Sequence, residues 1–183
     1  YLIKDSVDSV AFTPKEPNRV KFFVEVSGSM NGFFLANAPT QFKVDVWEIL
    51  SYFSNATTGV TKLTNEGEMG EEIALSTFQT SMNTGAFESS ASTKVPVMLS
   101  SIIKNLNTEK GEVAVLISDM KYSPVGSDAP EVLLVQYSSD VSKILGEYGK
   151  AICLVGAVSD YLDKSGAVEA PKSPYFYVII GNG

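Results

Sequence analysis

The sequence predicts an α/β fold with a doubly wound, mainly parallel central sheet flanked by helices. Two observations predict it. Apolar runs with the length of buried strands alternate along the chain with segments whose apolar residues recur at helical spacing. The strand-like runs are mostly continuous, which is typical of strands that helices cover on both faces, as in parallel sheets. A length of 183 residues with 44% hydrophobic and 19% charged residues suits one globular domain.

The first elements follow a short leading segment. Residues 1–19 are expected to form an N-terminal arm, and residues 20–183 to form the domain. The first strand is predicted at residues 20–26, because this apolar run stops abruptly at the turn-forming sequence Ser-Gly-Ser of residues 27–29.

The middle of the chain predicts two helices and two strands. Segment 42–53 has the spacing of one helix face, and residues 60–63 form a short strand candidate. Residues 72–79 alternate between polar and apolar, which predicts a half-buried strand. A second amphipathic helix is expected over residues 95–106, with Ser92 or Thr93 as its N-cap.

The last third predicts two helix-linked strands and a final one. Residues 113–117 form a continuous apolar strand, and the apolar positions of segment 134–148 outline a third helix that Gly149 closes. Further buried strands are predicted at residues 151–158 and 176–180.

Composition excludes several classes of function. The chain has 14 Lys+Arg against 21 Asp+Glu, a net charge of −7, and Arg19 is its only arginine, so nucleic-acid backbones are not expected partners. Histidine is absent, which removes histidine-dependent catalysis and imidazole metal sites. Cys153, the single cysteine, is expected to be buried and inert. No apolar run has the length of a membrane span.

Polar side chains follow two of the predicted strands at the point where each strand ends. The first group is Glu25, Ser27 and Ser29, and the second is Ser118-Asp119. In an open parallel sheet, ligands bind beyond the carboxyl ends of the strands. Hydroxyl and carboxylate oxygens are hard donors that suit Mg²⁺, Mn²⁺ or Ca²⁺.

These residues resemble a known family. Residues 24–30, Val-Glu-Val-Ser-Gly-Ser-Met, resemble the first motif of von Willebrand factor A-like domains, Asp-x-Ser-Gly-Ser-Met, with Glu25 in place of the aspartate. Residues 116–119, Leu-Ile-Ser-Asp, resemble the later strand-end motif of that family. Thr93 falls where the family places a metal-site threonine.

The resemblance implies a Rossmann-like domain with a metal-ion-dependent adhesion site. The implied ligand set for a divalent cation, Mg²⁺ or else Mn²⁺ or Ca²⁺, is Glu25, Ser27, Ser29, Thr93 and Asp119. An acidic group on a protein or glycan partner would complete the coordination. Phe33 and Phe34 lie in the adjacent loop, where they would form an apolar rim for that partner.

Each of these residues also has a purely structural interpretation. Ser27 and Ser29 would then form a strand-ending turn, Thr93 would only cap its helix, and Asp119 would bond its own backbone. Phe33 and Phe34 would pack beneath their loop.

The sequence therefore predicts a non-catalytic binding or adhesion module of a larger protein. The alternative is a structural or interaction domain of the same fold with a degenerate, metal-free site, which Glu25 and the cationic Lys94 favour. Metal-assisted hydrolysis is disfavoured, because the chain has neither a phosphate-cradling glycine loop nor a nucleophile elbow. The chain starts at Tyr1 and the implied fold is of adhesion type; both tilt the expected location toward an exported or cell-surface protein.

Overall fold

A computed structural model describes residues 19–63, 69–85, 94–121 and 130–182, apart from the side chains of residues 130–134. The strands are β1 (Arg19–Glu25), β2 (Val60–Leu63), β3 (Met69–Ile73), β4 (Glu112–Ser118), β5 (Lys150–Leu162) and β6 (Val168–Asn182). The helices are α1 (Gln41–Tyr52), α2 (Leu75–Thr84), α3 (Val95–Lys104) and α4 (Pro130–Tyr148), with short 3₁₀ helices at Gly28–Met30 and Thr108–Lys110.

The described strands form one mixed six-stranded sheet in the order β3-β2-β1-β4-β6-β5. β1 runs parallel to β2 and β4, whereas the pairs β2–β3, β4–β6 and β5–β6 are antiparallel. The predicted doubly wound, mainly parallel sheet is therefore wrong, and the chain has a mixed α/β fold. The reason lies in β5 and β6, which residues 163–167 join directly as a hairpin. A parallel pair would need a crossover of a dozen or more residues.

Helices cover both faces of this sheet. Val20, Phe22 and Val24 of β1 face one side, where they pack with the buried residues of α1 and α2. Phe23, which lies between Phe22 and Val24, faces the other side and packs with α3. The apolar residues of α4 lie against this second core. Alternate residues of a strand point to opposite faces, so a continuous apolar run serves both cores.

Other local predictions differ from the structure in instructive ways. The segment predicted as a strand at residues 72–79 is divided, because β3 ends at Ile73 and α2 begins at Leu75. Phe78 and Met82 of this helix are four residues apart, which is helical spacing, and both pack into the core on the α1 side. Cys153 was expected to be buried, but it is exposed on the outermost strand.

Two helices begin or end at residues that suit those positions. Thr40 precedes α1, and its hydroxyl accepts a hydrogen bond from the N–H of Lys43. Gly149 follows α4 with a φ of 58°, the left-handed conformation that closes helices. Within the described residues, no helix is long and apolar enough to cross a lipid bilayer.

Candidate functional site

The candidate site lies at the edge of the sheet where β1 and β4 end. The two strands are parallel neighbours, and their register places Val24 opposite Ile117. The residues that follow both strands therefore lie side by side. β2 flanks β1 on one side and β4 flanks it on the other, so the chain changes side at β1. Ligands of open α/β sheets collect at such a switch point.

Two serine hydroxyls converge immediately after β1. Ser27 is the last residue before the 3₁₀ helix Gly28–Met30, and this tight turn brings Ser29 back toward it. The two Oγ atoms lie 2.9 Å apart and share a hydrogen bond. Ser27 is buried and Ser29 is half-buried. The pair presents two hard oxygen donors from one turn.

Glu25 joins the ends of β1 and β4. Its carboxylate is fully buried, and its Oε2 atom accepts a short hydrogen bond from the hydroxyl of Ser118. The Ser118 hydroxyl in turn accepts a hydrogen bond of 2.8 Å from the N–H of Met120. Burial, together with the negative charge of Glu25, raises the pKa of Tyr137 on α4. Glu25 therefore has a clear structural role at the strand ends.

Asp119 carries the least satisfied polar atom of this edge. Its side chain is 1% exposed. The Oδ1 atom accepts a hydrogen bond of 3.1 Å from the N–H of Lys121, whereas Oδ2 accepts none within the described part of the chain. The Lys121 ammonium lies 3.5 Å from Oδ2 and faces it. A buried carboxylate oxygen without a hydrogen bond is costly and favours a cation beside it.

The tip of the β5–β6 hairpin links the two strand ends. The Lys121 ammonium lies 5.7 Å from the centre of the Tyr161 ring, a distance at which a cation and an aromatic face attract. The Tyr161 hydroxyl donates a long hydrogen bond of 3.5 Å to the carbonyl oxygen of Gly28. Leu162 also donates from its N–H to the carbonyl oxygen of Gly32, at 3.3 Å. The hairpin thus holds the serine turn against the Asp119 loop.

Four of the five predicted ligands lie at the same edge of the sheet. Glu25, Ser27, Ser29 and Asp119 follow or end the two neighbouring strands at one edge. Thr93 lies outside the described residues.

The two predicted rim residues are buried. Phe33 is 1% exposed and Phe34 is 3% exposed. The Phe33 ring packs 5.1 Å from the ring of Phe42 and 5.8 Å from that of Tyr175. Their positions favour packing beneath the loop over contact with a partner.

Sequence reasoning missed two residues of this edge and the role of a third. Ser118 was recognised only as part of a polar cluster, although its hydroxyl bridges Glu25 and the following loop. Lys121 stands two residues after Asp119, and this spacing was a usable signal for an internal counter-charge. Tyr161 had no signal, because only the hairpin brings it to the serine turn.

The side-chain donors at this edge are of the chemical type that small hard cations prefer. Ser27 Oγ, Ser29 Oγ and Asp119 Oδ2 are all oxygen donors, as Mg²⁺ and Mn²⁺ prefer. The described part of the chain contains no group of three or more His, Cys, Asp or Glu side chains placed to hold a metal ion. A site here would therefore depend on hydroxyls and on one carboxylate oxygen that accepts no hydrogen bond within the described residues, with water or a partner filling the remaining positions.

A cleft near this edge is a separate feature. A cavity of about 700 Å³ opens between the loop before α1 and the hairpin, and its lining includes Pro39, Ser159 and Lys172. Its lining does not include the two serines or Asp119.

Comparison of the chain with protein-family models, with curated proteins and with solved structures found no match. The resemblance to von Willebrand factor A-like domains thus depends on the sequence itself, that is on the motifs at residues 24–30 and 116–119, on the position of Thr93 and on the order of the predicted elements.

Proposed function

We propose that this chain is a non-catalytic binding module that holds a divalent cation beyond the carboxyl ends of β1 and β4. The observation that carries this proposal is the buried Oδ2 atom of Asp119, which accepts no hydrogen bond from the described residues. Ser27 and Ser29 supply two converging hydroxyls at the neighbouring strand end. These three side chains would hold the ion, and Mg²⁺ is the expected species.

The cation would serve as a docking point. A bound Mg²⁺ retains exchangeable water positions, and a carboxylate on a protein or glycan partner would replace one of those waters. The absence of histidine removes the usual general base, so binding is favoured over hydrolysis. Glu25 would not bind the ion directly, because its carboxylate already accepts a hydrogen bond from Ser118. This hydrogen bond connects the ends of β1 and β4.

A second candidate function is supported by Lys121. Its ammonium lies 3.5 Å from Asp119 Oδ2, where it partly compensates the buried charge without any metal. In this alternative, the chain is a structural or interaction domain whose strand-end site is metal-free and closed by its own lysine.

Calorimetric titration of Mg²⁺, and then Mn²⁺, into EDTA-treated protein tests the first proposal. One-site binding is expected, and Asp119→Asn should abolish it while leaving the fold intact. Asp140→Asn on α4 is the matched control and should bind as the parent does. Manganese relaxation detects binding that releases no heat. Absence of site-specific binding by both methods overturns the cation proposal.

Lys121→Gln separates the two candidates. If a cation binds beside Asp119, removing the competing ammonium should tighten Mg²⁺ binding by roughly two- to tenfold, because this lysine is mostly exposed and its charge is screened. If the site is metal-free, the variant should bind no cation. It should also unfold at a lower temperature than the parent, since Asp119 loses the ammonium that lies 3.5 Å from its Oδ2 atom.

Partner recognition is tested with defined acidic probes. Binding of the parent and of Asp119→Asn to arrays of sialylated glycans and of acidic peptides is compared in Mg²⁺ and in EDTA. Binding that requires both Mg²⁺ and Asp119 supports the docking role. Binding that survives both EDTA and Asp119→Asn supports the metal-free interaction domain instead.

A further inference from the structure

β5 forms an unusually long outer edge of the sheet. It spans 13 residues and pairs with β6 on one side only, at the end of the strand order. The backbone N–H and C=O groups that face outward have no strand partner within the described residues. Such an edge is a template for pairing with another strand.

The side chains of this edge do not protect it. Leu154 is 58% exposed, Val155 is 46% exposed and Val158 is 52% exposed, and Cys153 is exposed as well. Residues 151–159 contain no charged residue and no proline. Natural edge strands are commonly blocked by lysine, proline or short length. β5 lacks these devices over its central part.

The two charges of β5 stand near its ends. Lys150 donates from its ammonium to the Thr108 hydroxyl at 2.7 Å and to the Asn182 side chain at 3.1 Å, which leaves its third N–H. Asp160 accepts one hydrogen bond, from the N–H of Lys172 at 3.2 Å. Within the described part of the chain, neither charge has an ion-pair partner.

We propose that two copies of this chain associate by antiparallel pairing of their β5 strands about a two-fold axis at Val155. In this register, Lys150 of each copy lies opposite the partner's Asp160, and Ile152 lies opposite the partner's Val158. The two six-stranded sheets would become one continuous sheet. Lys150 and Asp160 have opposite charges and lie five residues on either side of Val155. Self-pairing therefore forms two Lys150–Asp160 ion pairs between the copies.

The faces of the strand are consistent with this register. Ile152 packs into the core on the α3 side, whereas Ala157 and Tyr161 pack into the core on the α1 side. Even-numbered residues of β5 therefore share one face. Opposite residues of an antiparallel pair also share a face, so Lys150 and the partner's Asp160 can meet.

Charge favours this specific contact over random association. The chain carries a net charge of −7, which makes copies repel each other at most orientations. β5 carries one positive and one negative charge and is neutral overall. Pairing at this edge therefore brings no net charge of one strand against the other.

Sedimentation velocity of the chain over a range of concentrations tests the dimer. We expect a reversible monomer–dimer equilibrium with a dissociation constant below about 1 mM. Val158→Lys should weaken dimerisation by roughly tenfold or more, because it places an unpaired cation against the partner's strand. Val168→Lys on β6 is the matched control, since Val168 is equally exposed at 52% but lies off the outer edge. A monomer at every concentration, or a dimer that Val158→Lys leaves unchanged, overturns the proposal.

Charge reversal tests the register. Lys150→Glu and Asp160→Lys should each weaken the dimer by roughly fivefold, because each places like charges opposite one another. The double variant should restore the parent's dimerisation constant. Circular dichroism and thermal melting verify that each variant folds. A double variant that dimerises no better than the single ones overturns this register.

Discussion

At the scale of single residues, several buried polar side chains are matched to a specific partner. Lys43 is 9% exposed, and its ammonium donates a hydrogen bond of 2.6 Å to the carbonyl oxygen of Leu35; burial lowers its pKa. Ser159 accepts a hydrogen bond of 3.1 Å from the N–H of Phe42. Asp119 departs from this pattern, and this departure is why it is the focus of the candidate site.

The Lys21–Glu112 pair makes stability depend on pH. Their charged atoms lie 2.7 Å apart, and the N–H of Asn107 also donates to the Glu112 carboxylate, at 2.8 Å. Burial alone would raise the pKa of Glu112. The hydrogen bonds from Lys21 and Asn107 and the nearby positive charges outweigh burial, so this pKa lies below its ordinary value of 4.5.

We expect Glu112→Gln to lower the free energy of unfolding by about 1–2 kcal/mol at pH 7. A pKa that is lower in the folded state stabilises the fold above the unfolded value, and this contribution is lost as pH falls through the folded pKa. Urea unfolding from pH 7 to pH 3 should therefore show the difference shrinking below about pH 4.5. Glu109→Gln, an exposed neighbour, serves as the control. A difference that stays constant with pH would contradict this account.

At the scale of elements, the β5–β6 hairpin organises one side of the molecule. The register between β5 and β6 is regular from Lys150 to Ser159 and then shifts before Tyr161. The tip beyond this shift reaches the loop that carries Ser27 and Ser29. The Tyr161 ring packs edge-on against the Phe33 ring, with centroids 5.3 Å apart. The hairpin therefore helps to shape the strand-end site without belonging to the strands that form it.

Gly32→Ala should disturb this contact. A Cβ atom at Gly32 would lie 2.5 Å from the Leu162 carbonyl oxygen and 2.6 Å from the Tyr161 ring, and backbone cannot yield as a flexible side chain does. We expect a loss of about 2 kcal/mol in the free energy of unfolding, measured by urea denaturation. Gly146→Ala is the control, because nothing lies within 4 Å of its added Cβ and alanine favours the helix. Equal stability of Gly32→Ala and the parent would mean that the hairpin tip does not pack as described.

At the scale of the whole molecule, two cores lie on the two faces of one sheet, and the candidate site lies at the edge where both end. Val24 and Ile117 belong to the α1-side core, and Phe23 and Leu116 to the α3-side core. All four precede the site residues directly in β1 or β4. A ligand at this edge would therefore be coupled to the packing of both cores. Its binding should raise the free energy of unfolding of the whole domain.

The melting temperature should consequently rise with Mg²⁺ if the proposed cation site exists. A ligand that binds only the folded state adds about 2.7 kcal/mol at a hundred times its Kd, which corresponds to roughly 5–10 °C for a chain of this size. Scanning calorimetry in Mg²⁺ and in KCl of equal ionic strength measures this shift. Asp119→Asn should show none. An equal rise in the parent and in Asp119→Asn would point to a general salt effect.

Much of the local structure was predictable because it depends on local pattern. The apolar run of residues 113–117 lies within β4, and the apolar spacing of segment 42–53 corresponds to α1. Segment 72–79 was misread because a short strand and the start of α2 share one alternating stretch. The site was predictable only in part, since Ser27 and Asp119 follow apolar runs whereas Tyr161 arrives from a distant hairpin.

The sequence by itself determined that buried strands alternate with amphipathic helices and that polar residues such as Ser27 and Asp119 follow two of those strands. Only the tertiary structure decided the direction of the last strands. Strand direction is absent from local periodicity, because an apolar run has the same pattern in parallel and antiparallel pairs. β5 and β6 also continue through polar residues such as Asp160 and Lys172, beyond the apolar runs, so the apparent crossover between them is a hairpin. That hairpin adds an antiparallel pair to the sheet, exposes Cys153 on its edge and brings Tyr161 to the site.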